Sequence, residues 1–432
     1  MPDPQPPAAP GKVLPGFLGP ILLMVPMAVA WAEPATVDVF ADTRYSDNIN
    51  KNEQNPLEEF EHRVGLSINK NTDPGRCQGS ASGDIAFVHY QRDTNDDEVV
   101  GTLTLDGECQ PNPWFRWDVR NTTRDVRRDT TNPDAPANRQ RRNVFSTGPT
   151  FIWPVTQRDD VSLSLEYQMT RFERTTGDDA DRYTATTRWQ RLFTAQLRGG
   201  LQASRSDIDL RRSDEELLQD NVSAFFNYQR GRGVWSGQIG QSWLESEQGP
   251  FRQRTSATTG NLRYNHQWDA GTSAYIEGRR SLTDASTDID LEIEGLSFNL
   301  TETSGVQVTA VNTGITQPWT ERTRTSLQLT WTESDYERSG TREERYTANM
   351  RNSHRLTETL SGNWNLGYDR EDFDVGNTLV HTYRTSLGLD YQRTRDLSLN
   401  AGVGYESRDI EGGAGNRFDE RWIRIGLRYN LR

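Results

Sequence analysis

Residues 397–406 read LSLNAGVGYE. Leu397, Leu399, Ala401, Val403 and Tyr405 occupy every second position, and Ser398, Asn400, Gly402, Gly404 and Glu406 fill the places between. A period of two is the signature of an extended strand whose two faces meet different surroundings. The same alternation recurs at Val161–Thr170, Val222–Tyr228, Leu327–Trp331, Leu360–Tyr368 and Leu387–Tyr391. Every one of these runs has one face fit for lipid and one fit for water.

Short turn-like segments separate the strands around Pro154, Phe193, Gly231, Ala270, Trp319, Thr357 and Arg395. Between them lie longer polar segments, among them Arg124–Arg142, Thr283–Thr303, Arg370–Asn377 and Arg408–Asp419. The turns are spaced by about 35 to 40 residues, or about 50 where a loop is long, and a period of that size marks a repeated supersecondary unit, here a hairpin. Short turns on one rim and long polar loops on the other are the two edges of an outer-membrane barrel. Carrying the rhythm back through Pro111, Pro74 and Pro34 gives about twenty strands, with a range of roughly 16 to 22. The expected fold is therefore all-β, a single closed antiparallel transmembrane barrel over residues 33–432.

Composition fits that architecture better than a packed soluble core. Only 33% of the 432 residues are apolar and the formal charge is -13, yet there are 12 Trp, 14 Tyr and 15 Phe. Mean hydropathy is -0.84. Disordered chains share the low hydrophobicity but not the aromatics or the alternation. A soluble propeller or solenoid repeats at a similar length but needs more apolar residues on buried faces. The acidic balance disfavours a nucleic-acid partner. Nearly all of the 49 basic residues are Arg, which suits a lumen where guanidinium groups pair with carboxylates and polar ligands, although a high-GC genome gives the same bias.

Residues 13–30, VLPGFLGPILLMVPMAVA, follow Lys12 and precede Ala30-Trp31-Ala32, a small-x-small site. This is the pattern of a signal peptide over residues 1–32, with the mature chain beginning near Glu33. Pro15, Pro20 and Pro26 interrupt any spanning helix. Trp153, Trp189, Phe193, Trp235, Trp268 and Trp319 sit beside the short turns, whereas Tyr45, Tyr90, Tyr183, Trp243, Tyr336, Tyr368 and Tyr383 sit toward the long loops. Amphipathic rings favour the headgroup level, so the two sets read as two girdles.

Cys77 and Cys109 flank one hairpin and face each other across it, and in an oxidising compartment they are expected to form a disulfide at the periplasmic rim. No metal set or cofactor motif is implied. Acidic runs at Asp93–Glu98 and Asp369–Asp374 have the carboxylates a hard cation wants, but solvated loop charge is the commoner explanation. His62, His89, His354 and His381 are expected at the lumen or rim. No catalytic motif surrounds them, which leaves a barrel hydrolase as the weakest reading.

Parity places Glu166, Arg188, Arg198, Arg384, Asp390, Glu406, Arg424 and Arg428 on the water-facing side, where they would line a lumen or pair with one another. The last strand, Arg421–Arg432, resembles the C-terminal signal read by the barrel-assembly machinery, with Arg424, Gly426, Tyr429 and Leu431 in the polar, glycine and hydrophobic places. Arg432 departs from the usual terminal aromatic.

The stretch Arg44-Tyr45-Ser46-Asp47-Asn48-Ile49 resembles the opening of a family of outer-membrane barrels encoded with exopolysaccharide and exosortase (PEP-CTERM) systems. That resemblance implies a role in exporting or anchoring surface polysaccharide, with polysaccharide and export-system proteins as partners besides outer-membrane lipid and lipopolysaccharide. Three functions are thus in view: a passive conduit in the outer membrane of a Gram-negative bacterium, a closed barrel whose loops bind surface material, and a barrel hydrolase.

Overall fold

The computed structural model of the chain describes residues 36–431, apart from 73–74, 130–131, 174–178, 212, 214, 269–270, 284–304, 338, 375 and 413–415. The leader at 1–32, Pro34, Pro74, Ala270, Arg432 and nearly all of the 283–303 loop lie outside the described residues.

Alternating sequence becomes strand throughout. The first quarter of the sheet is β1 (Thr36–Ser46), β2 (Glu59–Asn71), β3 (Cys77–Tyr90), β4 (Glu98–Asn112) and β5 (Phe115–Arg127). Next come β6 (Arg139–Pro154), β7 (Asp159–Phe172), β8 (Ala180–Leu192), β9 (Leu197–Leu210) and β10 (Glu215–Arg230). The third group is β11 (Gly233–Gln248), β12 (Phe251–Gln267), β13 (Ser273–Thr283), β14 (Val306–Pro318) and β15 (Thr323–Tyr336). The circuit ends with β16 (Arg342–Arg355), β17 (Leu360–Phe373), β18 (Thr378–Gln392), β19 (Leu397–Glu411) and β20 (Phe418–Leu431). Each strand pairs antiparallel with its successor, and β1 pairs with β20 from Val37↔Leu431 to Ser46↔Trp422. Closure leaves no free sheet edge around the lower wall, so neighbouring strands pair their backbone groups where lipid offers no partner; above Gly260, β12 has no pairing with β13. The twenty strands agree with the count expected from the hairpin rhythm.

Parity separates the two faces. Val64, Leu66, Leu399, Val403, Ile423, Ile425 and Leu427 are exposed on one of them, Ile425 by 67%. In water such a belt would be an aggregation surface; against hydrocarbon it is the stabilising one. Exposed Trp114, Trp153 and Trp319 ring the belt beside the short turns, and Tyr183 and Tyr383 ring it beside the loops. Tyr90 and Tyr336 do not belong to that upper girdle. Both are buried on the inner face, where their hydroxyls donate to Glu98 at 2.7 Å and Glu343 at 2.9 Å.

Strands of up to 17 residues outrun the roughly 9–11 needed to cross a bilayer. Their upper ends carry outward ion pairs such as Arg171–Asp181 at 2.7 Å, which sit above the hydrocarbon. At the lower rim Cys77 and Cys109, directly opposed in the β3–β4 register, are joined by a disulfide.

The interior is not uniformly wet. At the upper end, inward side chains form three apolar clusters: Ile208, Leu210, Leu217 and Leu244 with Ala257 and Leu282; Ile49 with Val88 and Tyr90; and Phe373 with Val380 and Ile410. The end of β13 at Leu282 and the segment around Ile49 give the first two clusters something to pack against. Gln219 Nε2, on β10, donates to the Leu282 carbonyl at 2.8 Å, drawing the end of β13 inward.

Candidate functional site

The lumen is where this fold brings chemistry together. Two loops enter it from the extracellular side, the second described at 128–129 and 132–138. The first, residues 47–58, begins with the Arg44–Ile49 motif. Asp47 both donates its N–H to the Arg421 carbonyl at 3.1 Å and accepts from the Arg421 N–H at 2.7 Å. Asn48 Nδ2 donates to the Asp419 carbonyl at 3.0 Å. Ile49 then turns into its buried cluster on the inner wall, and Lys51 Nζ meets Glu406 Oε2 at 2.8 Å. A positive φ of 51° at Lys51 makes the bend.

The second loop, residues 128–138, is bounded by the 3-10 turn Pro136–Asn138, with Pro133, Ala135 and Pro136 buried. Asn138 holds it together, donating to the carbonyls of Asp129 at 2.9 Å and Pro133 at 3.0 Å. Arg127, at the foot of this loop on β5, comes within 3.9 Å of Glu371 on β17. Those strands are not neighbours in the sheet, so the pair spans the upper lumen.

Between the loops runs a chain of inward ion pairs. Arg63 meets Asp42 at 2.9 Å, Arg44 reaches Glu61 at 3.5 Å and Glu420 at 2.5 Å, and Lys51 lies 3.8 Å from Glu420. From Glu406 the path continues to Arg384 at 3.7 Å, Asp369 at 2.5 Å and Arg345 at 3.5 Å, and Arg345 lies 3.3 Å from Glu371. Burying carboxylates such as Glu420 and Asp369 is costly unless cationic partners of this kind surround them.

Inward aromatic rings are seated where glycine leaves room. A Cβ at Gly404 would meet the Trp422 indole at 2.3 Å, and one at Gly65 would meet Phe40 at 2.6 Å. Guanidinium groups rest over inward rings, Arg424 over Trp422 at 5.6 Å and Arg188 over Phe225 at 3.7 Å.

Register puts the eight lumen candidates on the inner face. Arg384, Glu406 and Arg424 enter the upper network, Arg424 lying 3.8 Å from Asp42. Arg428 lies 3.8 Å from Asp38, and Asp390 accepts from Asn363 at 3.0 Å. Glu166, opposite Thr184, is mid-wall. Arg188 and Arg198 stand apart from that network on β8 and β9. Of the proposed assembly residues, Arg424 and Gly426 point inward, whereas Tyr429 and Leu431 face out at the lower rim.

His62, His89, His354 and His381 all face outward, so none lines the lumen. His62 stacks on His89, His354 meets Thr323, and His381 meets Tyr368. The Asp369–Asp374 run is split by the same alternation: Asp369 and Glu371 point in to arginines, and Asp372 points out beside Arg370. Carboxylates on opposite faces of one strand cannot share a cation.

A closed barrel of even strand number, with a lipid-facing apolar band and aromatic rings at both rims, is the outer-membrane architecture. This chain is an outer-membrane barrel of a Gram-negative bacterium. No family model matches it, and no curated protein does. Among solved structures it is similar to the FrpB iron transporter from Neisseria meningitidis, at 7% identity and a TM-score of 0.49 over 93% of this chain and 82% of that one. It is similar also to the copper transporter OprC, at 10% and 0.47 over 92% and 80%. A third is OccK2 (OpdF) of Pseudomonas aeruginosa, at 9% and 0.41 over 92% and 98%. Likeness at this level carries nothing about what crosses the barrel.

The inward loops and the cross-lumen pair escaped the sequence reading, which treated polar loops as extracellular. One signal was available. Ile208, Leu210 and Leu217 put apolar residues on the inner parity beside a loop, where water alone would not favour them.

Proposed function

We propose that this barrel is a passive conduit of the outer membrane serving exopolysaccharide export. The observation that carries the reading is a set of amides and hydroxyls on the inner wall, bonded strand to strand among its charged groups. Asn365 donates to Ser386 at 3.1 Å, Gln238 to Ser223 at 2.8 Å and Asn430 to Asp38 at 2.7 Å. Thr184 meets Ser206 at 2.9 Å, and Thr316 meets Ser326 at 3.1 Å. Such a surface exchanges hydrogen bonds with a hydroxylated solute at little cost and offers no single tight site, as a conduit requires. The resemblance of Arg44–Ile49 to barrels of polysaccharide-export systems supports the choice of solute. The C-terminal strand, through Arg424, Gly426, Tyr429 and Leu431, is the segment the assembly machinery would read.

The Arg127–Glu371 pair favours a second reading, a closed barrel that displays its loops. Single-channel recording in planar bilayers, with swelling of proteoliposomes in neutral oligosaccharides, separates the two. Discrete conductance and swelling are expected of the conduit; sealed vesicles and silent bilayers belong to the closed barrel. Loss of secreted polysaccharide on deletion of the gene would tie the conduit to export.

A further inference from the structure

Charged groups on the lower inner wall are matched unevenly around the barrel. On β3–β5, Arg120 meets Asp106 at 2.7 Å, and Arg116 lies 2.9 Å from Asp118 and 3.8 Å from Glu108. Arg263 meets Glu277 at 3.1 Å, and Arg428 lies 3.8 Å from Asp38. That group is balanced but for one surplus carboxylate.

Five further arginines face the same band. Arg188 is opposite Ser162 and Gln202; Arg198 is opposite Asn227; Arg324 is opposite Ser353; Arg351 is opposite Ser326 and Asn365; Arg355 is opposite Ser361. All lie within a few residues of the periplasmic turns. Among the described residues none of the five makes an ion pair, and Asp160 acts on Arg188 only as a more distant charge. Arg351 donates to the neutral Asn365 at 3.0 Å, and Arg188 is steadied by the Phe225 ring. The remaining inward carboxylates here, Asp160 and Asp390, are bonded to the amides of Gln190 and Asn363. Guanidinium forks without a carboxylate partner are ready donors to a passing anion, and a low-dielectric wall focuses their field along the lumen.

We infer that the periplasmic half of the lumen selects anionic solutes, with Arg324, Arg351 and Arg355 on one sector and Arg188 and Arg198 on another forming the attracting surface. The ligand class is a hydroxylated solute bearing carboxylate, sulfate or phosphate, although the whole chain carries a charge of -13. This deepens the conduit reading and rests on it for transport, but not for binding.

The test pairs two measurements on the native barrel, on Arg324→Gln/Arg351→Gln/Arg355→Gln and on Arg188→Gln/Arg198→Gln. Reversal potentials across a KCl gradient are expected to give a chloride-to-potassium permeability ratio above one for the native barrel and a lower ratio for each variant. Fluorescence anisotropy of the trisulfonated dye pyranine with the detergent-solubilised proteins is expected to show binding weakened roughly tenfold in the triple variant, the worth of one charge-assisted hydrogen bond. A silent bilayer overturns the conduit alone, because dye binding still decides the inference. Cation preference in the native barrel, or equal dye binding by all three proteins, overturns the inference itself.

Discussion

Arg44, in the first strand, donates through Nη2 to Oε1 of Glu420, in the last strand, at 2.5 Å. Ser46 Oγ reaches the same oxygen at 2.6 Å, and Glu420 is fully buried. One carboxylate thus fastens both ends of the chain across the seam where the barrel closes, and the Asp47 and Asn48 bonds to the backbone of β20 extend the fastening upward. The motif that resembles polysaccharide-export barrels is, in this chain, the closure of the wall and the root of an inward loop.

Replacing Glu420 by Ala leaves Arg44 and Lys51 beside an emptied acceptor. Removing one partner of a buried charged network costs roughly 3–5 kcal/mol. Urea unfolding in lipid vesicles is expected to shift by that amount, and the heat-modifiable gel band should convert at lower temperature. A midpoint equal to the native one would mean that backbone pairing alone holds the seam.

The Cys77–Cys109 disulfide ties a hairpin whose register continues without interruption from Gln78↔Glu108 to Val88↔Glu98. The barrel should therefore still assemble as Cys77→Ser/Cys109→Ser, with stability lowered by about 2–4 kcal/mol through a looser unfolded chain. Neither cysteine in the native, unreduced and denatured protein is expected to take a maleimide label. Full labelling of both would refute the pairing.

Strand number and the lipid-facing set were legible because a period of two exposes one face entirely: Leu399, Val403 and Leu427 could go nowhere else. Where both parities are apolar the sequence is mute. Residues 84–90, DIAFVHY, give Ile85 and Phe87 to lipid but Ala86, Val88 and Tyr90 to the interior, so Tyr90 passed for a girdle residue. For Tyr336 the signal was present: Leu327, Leu329 and Trp331 set the outward parity of β15, and residue 336 has the other. The reach of Arg127 to Glu371 could not be read at all, because nothing local to either residue encodes a contact across 244 positions.

Parity itself can be tested within one strand. Leu399 is exposed on the outer face, and Asn400 lies inward against Gly426. Leu399 sits one pleat above the lower rim, so Leu399→Arg should cost about 1–2 kcal/mol, between the interfacial and midplane values. Asn400→Arg gives the guanidinium a route into the lumen past a residue with no side chain, and is expected to cost well under half as much in the same urea titration. Equal damage from both would show the lumen packed shut at that depth.

The remaining prediction concerns the upper lumen, where Lys51 and Arg127 anchor two inward loops to the wall formed by β17, β19 and β20. The nearest ion pair of each anchor is Lys51–Glu406 at 2.8 Å, with Glu420 3.8 Å away, and Arg127–Glu371 at 3.9 Å. The loops differ in what else holds them. Ile49 is buried in its own cluster beneath Lys51, so losing the lysine leaves the first loop seated. Across the lumen the described contact of Arg127 is longer and lies at the foot of a loop stabilised mainly within itself by Asn138. Arg127→Ala should therefore widen the passage and raise unit conductance, whereas Lys51→Gln should change it little. Glu371→Gln is expected to follow Arg127→Ala only in part, because Arg345 loses a partner as well. Unit conductance of the three variants at fixed salt reads the order directly. If Lys51→Gln gives the largest rise, the first loop is the constriction, and the 128–138 loop stands clear of the path.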